Sequence, residues 1–349
     1  MNDIAAELGR SPELFPFALD LPGDSVAFVR LSRSDYERAS FLDARMLTPQ
    51  TSSRVLPWPH VAAGINASQL RERCGFIFHI GHVGSTLLSR LIGSHPGVFS
   101  LREPAILRTF AQLSDEAQAR LWGDGGFESR LTGCLKLLSR TFEIQQLPLV
   151  KATSFVSELA TSLLSRAANP KAVMMYVSPE SYMATILGGP NSRQEAQALA
   201  PCRLQRLHRR IGAEAWQLAS LSEGEVLALS WACEMSALAQ ATNSGGSRVF
   251  RVNFDEFLAN PRALLAGLLR HFDIEASANE VRAIIEGPEM RRYSKAPEHA
   301  YDAALRREVL NTARATHGAE IRRGLTWLDR AAEQYAAVRH ATAMLNNGR

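Results

Sequence analysis

The stretch with the most chemical content runs from Cys74 to Leu91 and reads CGFIFHIGHVGSTLLSRL. An apolar run ends near Ile80, a turn with Gly81 and Gly84 follows, and Ser85 and Thr86 open a second apolar run. Glycines let a backbone curl so that successive N–H groups face one point, and a helix N-terminus adds about half a positive charge. Hydroxyls on the first turn supply further donors. The expected chemistry is capture of a phosphate-like oxyanion by Gly81, His82, Val83, Gly84, Ser85 and Thr86. An ordinary glycine-containing strand-to-helix turn would leave the same local pattern. A loop that hydrolyses ATP or GTP reads GxxxxGK[ST], with its lysine on the terminal phosphates. Gly84 stands before Ser85 here, so that lysine is missing, and no strand-end aspartate stands out as a magnesium partner.

Two more groups sit where such a site would want them. Ser100-Leu101-Arg102-Glu103-Pro104 places a carboxylate just past the next apolar run, and in a parallel sheet that end faces the loop. A base so placed contributes roughly 10²–10⁴-fold to a reaction that removes a proton. The plain alternative is a surface ion pair with Arg102. Lys151 closes the run Leu147-Pro148-Leu149-Val150 and puts a cation at the end of a third apolar run. A solvated strand end would also look like this.

Taken in order, these segments resemble the sulfotransferases, whose loop reads G-x-P-[RK]-S-G-[ST]-[ST]-L. The equivalent stretch is His79 to Leu87, followed by Arg90-Leu91 and by His95-Pro96-Gly97-Val98, where the family commonly has "HP.V". The resemblance spans about residues 75 to 275. It implies a three-layer α/β/α fold with a central parallel sheet of about five strands, the P-loop NTPase-like sulfotransferase fold. It implies 3′-phosphoadenylyl sulfate (PAPS) as donor, a hydroxyl or amine acceptor on a small molecule, carbohydrate or peptide, and no metal. Glu103, His82 and Lys151 then become the catalytic candidates, with Glu103 as the base and Lys151 near the sulfuryl group. Gly81, His82, Val83, Gly84, Ser85, Thr86, Thr185 and Lys295 become the donor-binding candidates.

The departures are specific. His79 replaces the first glycine, Gly81 the proline, and His82 the basic residue that touches the transferring sulfate. Val177 and Thr185 stand where the family places an Arg–Ser pair on the donor's 3′-phosphate. A substitute cation could come from Arg193, Arg203, Arg206, Arg209, Arg210 or the run Arg292-Tyr293-Ser294-Lys295, although Arg203 and Arg206 are expected on a solvated helix face. Asp255 and Glu256 are expected to cap a helix start, and Trp231 to be core. An atypical P-loop kinase-like phosphotransferase and a non-catalytic binding module remain the rival readings.

The elements that must position these groups are short apolar runs alternating with longer amphipathic ones. Strands are expected at Gly75–Ile80, Val98–Leu101, Leu147–Lys151, Ala172–Val177 and Arg248–Asn253, apolar on both faces as buried parallel strands are. Asn260 and Pro261 should open a helix with Leu264, Leu265, Leu268, Leu269 and Phe272 as its stripe, and Ser277 to Glu280 a second one. Residues 1–73 are expected to form a small N-terminal appendage and 74–349 the main domain. In the appendage, Val26–Leu31 reads as a strand, Ser34 to Glu37 as a capping box, and Thr48 to Pro59 as a linker.

The 349 residues are 46% hydrophobic and 21% charged, with 39 basic against 35 acidic side chains and a formal charge of +4. That slight excess, with no basic block, gives no reason to expect nucleic acid. Cys74, Cys134, Cys202 and Cys233 form no CxxC pair, so reduced thiols are expected. No apolar run approaches the roughly 20 residues of a membrane span, and no signal-peptide layout is present, so a cytoplasmic location is the expectation.

Overall fold

The structure, a computed structural model, describes residues 7–9, 11–114, 122–294, 298, 300 and 302–345. The N-terminal part is a layer of its own. Strands β1 (Leu14–Asp20), β2 (Ser25–Arg30) and β3 (Ser53–Pro57) pair antiparallel in the order β1-β2-β3, with helices α1 (Arg33–Arg38) and α2 (Trp58–Ala67) beside them. The expected linker from Thr48 to Pro59 therefore contains the five residues of β3 and the first two of α2. Its Pro57 can end β3 because α2 starts immediately afterwards, with Pro59 in its first turn, where no backbone donor is needed. The capping box also lies two residues earlier than expected. Ser32 accepts from the Asp35 N–H, and the Asp35 carboxylate accepts from the Ser32 N–H at 2.8 Å.

The main body is a five-stranded parallel sheet. Its strands are β4 (Gly75–His79), β5 (Val98–Arg102), β6 (Leu147–Lys151), β7 (Ala172–Tyr176) and β8 (Val249–Asn253), in the order β5-β6-β4-β7-β8. Every residue of β4, β5 and β7 is buried. Helices cover both faces, as the all-apolar composition of these strands requires. Burying side chains such as Phe76, Ile77 and Phe78 contributes about 1.5–3 kcal/mol each.

The remaining helices are α3 (Ser85–Gly93), α4 (Ala105–Leu113), α5 (Gly126–Leu138), α6 (Ala160–Leu164), α7 (Pro179–Leu187), α8 (Pro190–Ile211), α9 (Glu223–Gly245), α10 (Phe254–Ala259), α11 (Pro261–His271), α12 (Ala278–Glu286), α13 (Ala303–Gln334) and α14 (Ala336–Ala343). Ser277 and Glu280 form the expected capping box of α12, and Leu265, Leu268 and Leu269 are the buried stripe of α11. Asn260 precedes α11 but makes no side-chain cap. Trp231 is fully buried in α9. Long α13 packs against α7 and α9. Glycine makes that approach possible, since a Cβ on Gly224 would stand 1.9 Å from the Glu320 carbonyl oxygen. None of the helices among the described residues is long and apolar enough to cross a membrane.

Two buried arginines fasten the N-terminal layer to the main body, Arg102 from β5 and Arg140 from just past α5. Arg140 donates to the carbonyls of Leu8, Ser11 and Leu14 at 3.1, 2.9 and 2.6 Å. Arg102 donates to those of Tyr36, Glu37 and Ala39. Burial pushes both guanidinium groups down to about 10, which leaves them charged at neutral pH. Arg102 is thus engaged by backbone, and the surface ion pair with Glu103 that its sequence position allowed is not formed.

Candidate functional site

The loop between β4 and α3 has the conformation its glycines permit. Gly81, His82 and Gly84 all have positive φ, at 85, 55 and 68°. Gly84 caps α3 in the left-handed region with no side-chain cap, and a Cβ there would fall 2.1 Å from the Phe254 ring. Only glycine meets both demands. The Gly81 N–H donates to His79 Nδ1 at 3.0 Å, so the first loop amide is engaged. Among the described residues, no protein hydrogen bond takes up the N–H groups of His82, Val83, Gly84, Ser85, Thr86 or Leu87. Thr86 is 1% exposed, and its Oγ1 is buried with no hydrogen-bond partner. Buried polar atoms are nearly always bonded, so this hydroxyl and the neighbouring amides stand out as hydrogen-bonding groups the described residues leave unused.

A cavity of about 830 Å³ opens over this loop, and Glu103, Lys151, Thr153 and Thr185 also line it. Glu103 directly follows β5 and Lys151 ends its neighbour β6, where register brings Arg102 opposite Lys151. Their side chains form an ion pair, with Lys151 fully buried and the Glu103 side chain 12% exposed. Glu103 has a positive φ of 54°, which is strained for a side chain of its kind. Its N–H donates to the Lys151 carbonyl at 2.6 Å. Thr153 Oγ1, two residues on, is a second buried hydroxyl without a partner.

The N-terminal layer reaches the same place, which the sequence did not suggest. Between α1 and β3, Arg45 stacks on Phe41 with its guanidinium carbon 3.4 Å from the ring centre and forks onto Asp43. Its Nη2 stands 3.9 Å from Glu103 Oε2. Phe41, Asp43 and Arg45 all line the cavity. The link could not be found from spacing, because nothing in the run Phe41–Arg45 marks it as a neighbour of Glu103.

Other expected residues fall less simply. His82 turns toward α8, with Nδ1 3.4 Å from Ser192 Oγ and Nε2 3.6 Å from Glu195 Oε2. The Val83 side chain is fully buried, which leaves only its amide facing outward chemistry. Thr185 donates to the Ser181 carbonyl at 2.7 Å within α7. Val177 is core, and its carbonyl accepts from Trp231 Nε1. Lys295 lies outside the described residues.

The arginines expected on a solvated face are corrected. Arg203 and Arg206 are each 4% exposed. Arg203 pairs with buried Glu234 at 2.9 Å, and Arg206 donates to the carbonyls of Phe155 and Ala111 while stacking on the Phe155 ring. Arg193 pairs with Glu223 and Arg210 with Glu158. Asp255 does not cap α10, whose cap is Asn253; its carboxylate instead holds Arg306.

No protein-family profile matches the sequence, and no curated protein does. Among solved structures, several align with much of the chain at low identity. The sulfotransferase domain from the curacin biosynthetic pathway is 14% identical with a TM-score of 0.40, over 71% of this chain and 98% of that one. The sulfotransferase domain from the Synechococcus PCC 7002 olefin synthase is 13% identical with a TM-score of 0.39, over 70% and 95%. A sulfotransferase from Mycobacterium avium is 13% identical with a TM-score of 0.39, over 90% and 96%.

Proposed function

We propose that this chain transfers a sulfuryl group from PAPS to a hydroxyl or amine acceptor. The observation that supports this most is the shared cavity: open loop amides and the orphan Thr86 hydroxyl at one wall, the Glu103–Lys151 pair at another. PAPS would place its 5′-phosphosulfate against the amides of His82 to Thr86, where the α3 N-terminus favours negative charge. Glu103 takes the acceptor's proton as the acceptor oxygen or nitrogen bonds to sulfur. The bond from sulfur to the 5′-phosphate oxygen breaks, and adenosine 3′,5′-bisphosphate leaves with its electron pair. Loop donors aimed at that leaving phosphate act where charge builds, the most effective place for them. Lys151 holds the Glu103 carboxylate in position; once the proton arrives there, its ammonium can turn to the sulfuryl oxygens.

Calorimetry with adenosine 3′,5′-bisphosphate tests the donor half. Binding supports it, and no heat at millimolar nucleotide refutes it. Glu103→Gln tests the chemistry: transfer should cease while nucleotide affinity stays close to that of the parent. Turnover that survives the substitution removes Glu103 from the mechanism.

A further inference from the structure

His79 ends β4, lines the cavity and is 4% exposed. Its backbone is fixed before the loop begins. The His79 carbonyl accepts from the buried Ser157 hydroxyl at 3.2 Å, and the next N–H, that of Ile80, donates to Met175 O at 3.3 Å. The ring then takes hold of the loop, with Nδ1 accepting from the Gly81 N–H at 3.0 Å. Asn and Asp side chains close turns in the same way, by accepting from the N–H two residues on. Because Nδ1 accepts, the ring proton sits on Nε2 and the imidazole is neutral. His79 therefore acts here as a fixed acceptor, not as a cation.

The loop needs such a tie. His82 holds a left-handed backbone that is strained for any residue with a Cβ. Gly81 is buried, so its N–H has no water to turn to if the His79 ring is lost. The far end of the loop is held separately: the Leu88 N–H donates to Gly84 O at 3.1 Å, and the Phe254 ring fills the place of a Cβ on Gly84. Between these two ties lie His82 and Val83. One amide is spent on His79, and those that follow keep their direction. The same device recurs in the turn between α3 and β5, where His95 Nδ1 accepts from the Gly97 N–H at 3.1 Å, away from the cavity lining. His82-Val83-Gly84 has this spacing too, but its ring turns to Ser192 instead.

We propose that His79 is a positioning residue of the loop: by holding the Gly81 N–H it keeps the amides of His82 to Thr86 aimed at one anion. A glycine at this place, as in the family's loop, has no side chain to do so. The proposal rests on the reading of the loop given above, and it explains why an amide that could face a ligand is given up to the protein.

Calorimetry with adenosine 3′,5′-bisphosphate on the full chain tests it, with the melting temperature of each variant measured alongside. His79→Leu removes the acceptor and should weaken binding by roughly fivefold to a hundredfold, the cost of leaving a buried N–H unpaired. His79→Asn restores an oxygen at the place of Nδ1 and should bring back most of the affinity. His79→Gln carries its oxygen one bond further out and should not. His95→Leu is the control: it loosens the matching turn, and should lower the melting temperature while nucleotide affinity stays that of the parent. If His79→Leu does not fold, the comparison of Asn with Gln carries the test. Asn and Gln variants that bind alike overturn the assignment. So does a His79→Leu affinity equal to the parent's, or above it because the freed Gly81 amide joins the others on the ligand. Loss of folding in His79→Asn, or a matching loss of affinity in His95→Leu, would make the effect one of stability alone and overturn it too. A parent that binds no nucleotide overturns the loop reading itself.

Discussion

Glu103 and Lys151 should behave as one thermodynamic unit, and a double-mutant cycle measures this. Lys151 has no exposed side-chain surface and Glu103 only 12%. Removing one partner of a buried pair typically costs about 3–5 kcal/mol, because the other charge stays behind in a poor solvent. Glu103→Gln should fall at the lower end, near 3 kcal/mol, since the amide oxygen still accepts from the ammonium. Lys151→Met should cost less, about 1–3 kcal/mol, because the Arg45 guanidinium 3.9 Å away still faces the carboxylate and Glu103 retains some solvent. The double variant removes both charges and leaves neither buried without its partner, so it should be more stable than Glu103→Gln alone. The coupling between the two sites should reach roughly 2–3 kcal/mol. Thermal unfolding reads this directly, at roughly 2 °C per kcal/mol for a chain of this size. Additive single effects would refute the idea that the two groups act as a pair, and with it the role given to Lys151 in holding the base.

Two other outcomes follow from the geometry. Gly84→Ala should abolish nucleotide binding and destabilise the fold by about 1–2 kcal/mol from the left-handed backbone alone, with more from displacement of Phe254; a nucleotide titration showing wild-type affinity would contradict the loop geometry. Acid should also loosen the helices: the Ser32 hydroxyl holds the Asp35 carboxyl below its ordinary range, and the Gly224 N–H does the same for Glu320. A depressed folded value gives stability that is complete above the ordinary carboxylate range and lost as pH falls through the lowered one. The melting temperature should thus hold steady from neutral pH and drop below about pH 4, with a shallower acid limb in Ser32→Ala. An acid limb of unchanged slope in that variant would count against the Asp35 contribution.

The five parallel strands were legible because burial on both faces writes an unbroken apolar run. Leu147–Lys151 is found to the residue, and the other four differ by a residue at one end. The antiparallel layer was poorly legible. β1 carries Pro16 at a register shift, and β3 buries only Leu56, so neither shows a regular alternation. The misplaced cap has a simple cause: Ser32-x-x-Asp35 and Ser34-x-x-Glu37 are overlapping matches to one pattern, and in the fold the first of them starts the helix. Arg203 and Arg206 show the general limit. A sequence displays their charge but not Glu234 or the Phe155 carbonyl, and those partners are what make burial tolerable. The loop, Glu103 and Lys151 could be placed at one edge in advance because each lies at the carboxyl end of a strand of one parallel sheet.

The N-terminal layer belongs to the site's scaffold for a reason that lies in the backbone at Glu103. A positive φ on a non-glycine residue costs on the order of 1 kcal/mol and persists only where its neighbours leave no alternative. Here three hydrogen bonds leave none. The Glu103 N–H is held by Lys151 O at 2.6 Å. On either side, the Leu42 N–H reaches Arg102 O at 2.7 Å, and the Ala105 N–H reaches Leu42 O at 3.1 Å. Two of the three bonds involve Leu42, one through its N–H and one through its carbonyl, and the Arg102 clamp on Tyr36, Glu37 and Ala39 keeps it in place. The carboxylate's direction is therefore set jointly by the sheet and by a segment outside it. Phe41 and Arg45, next to Leu42, complete the wall around that carboxylate, so the layer that orients the proposed base also shapes the space in front of it.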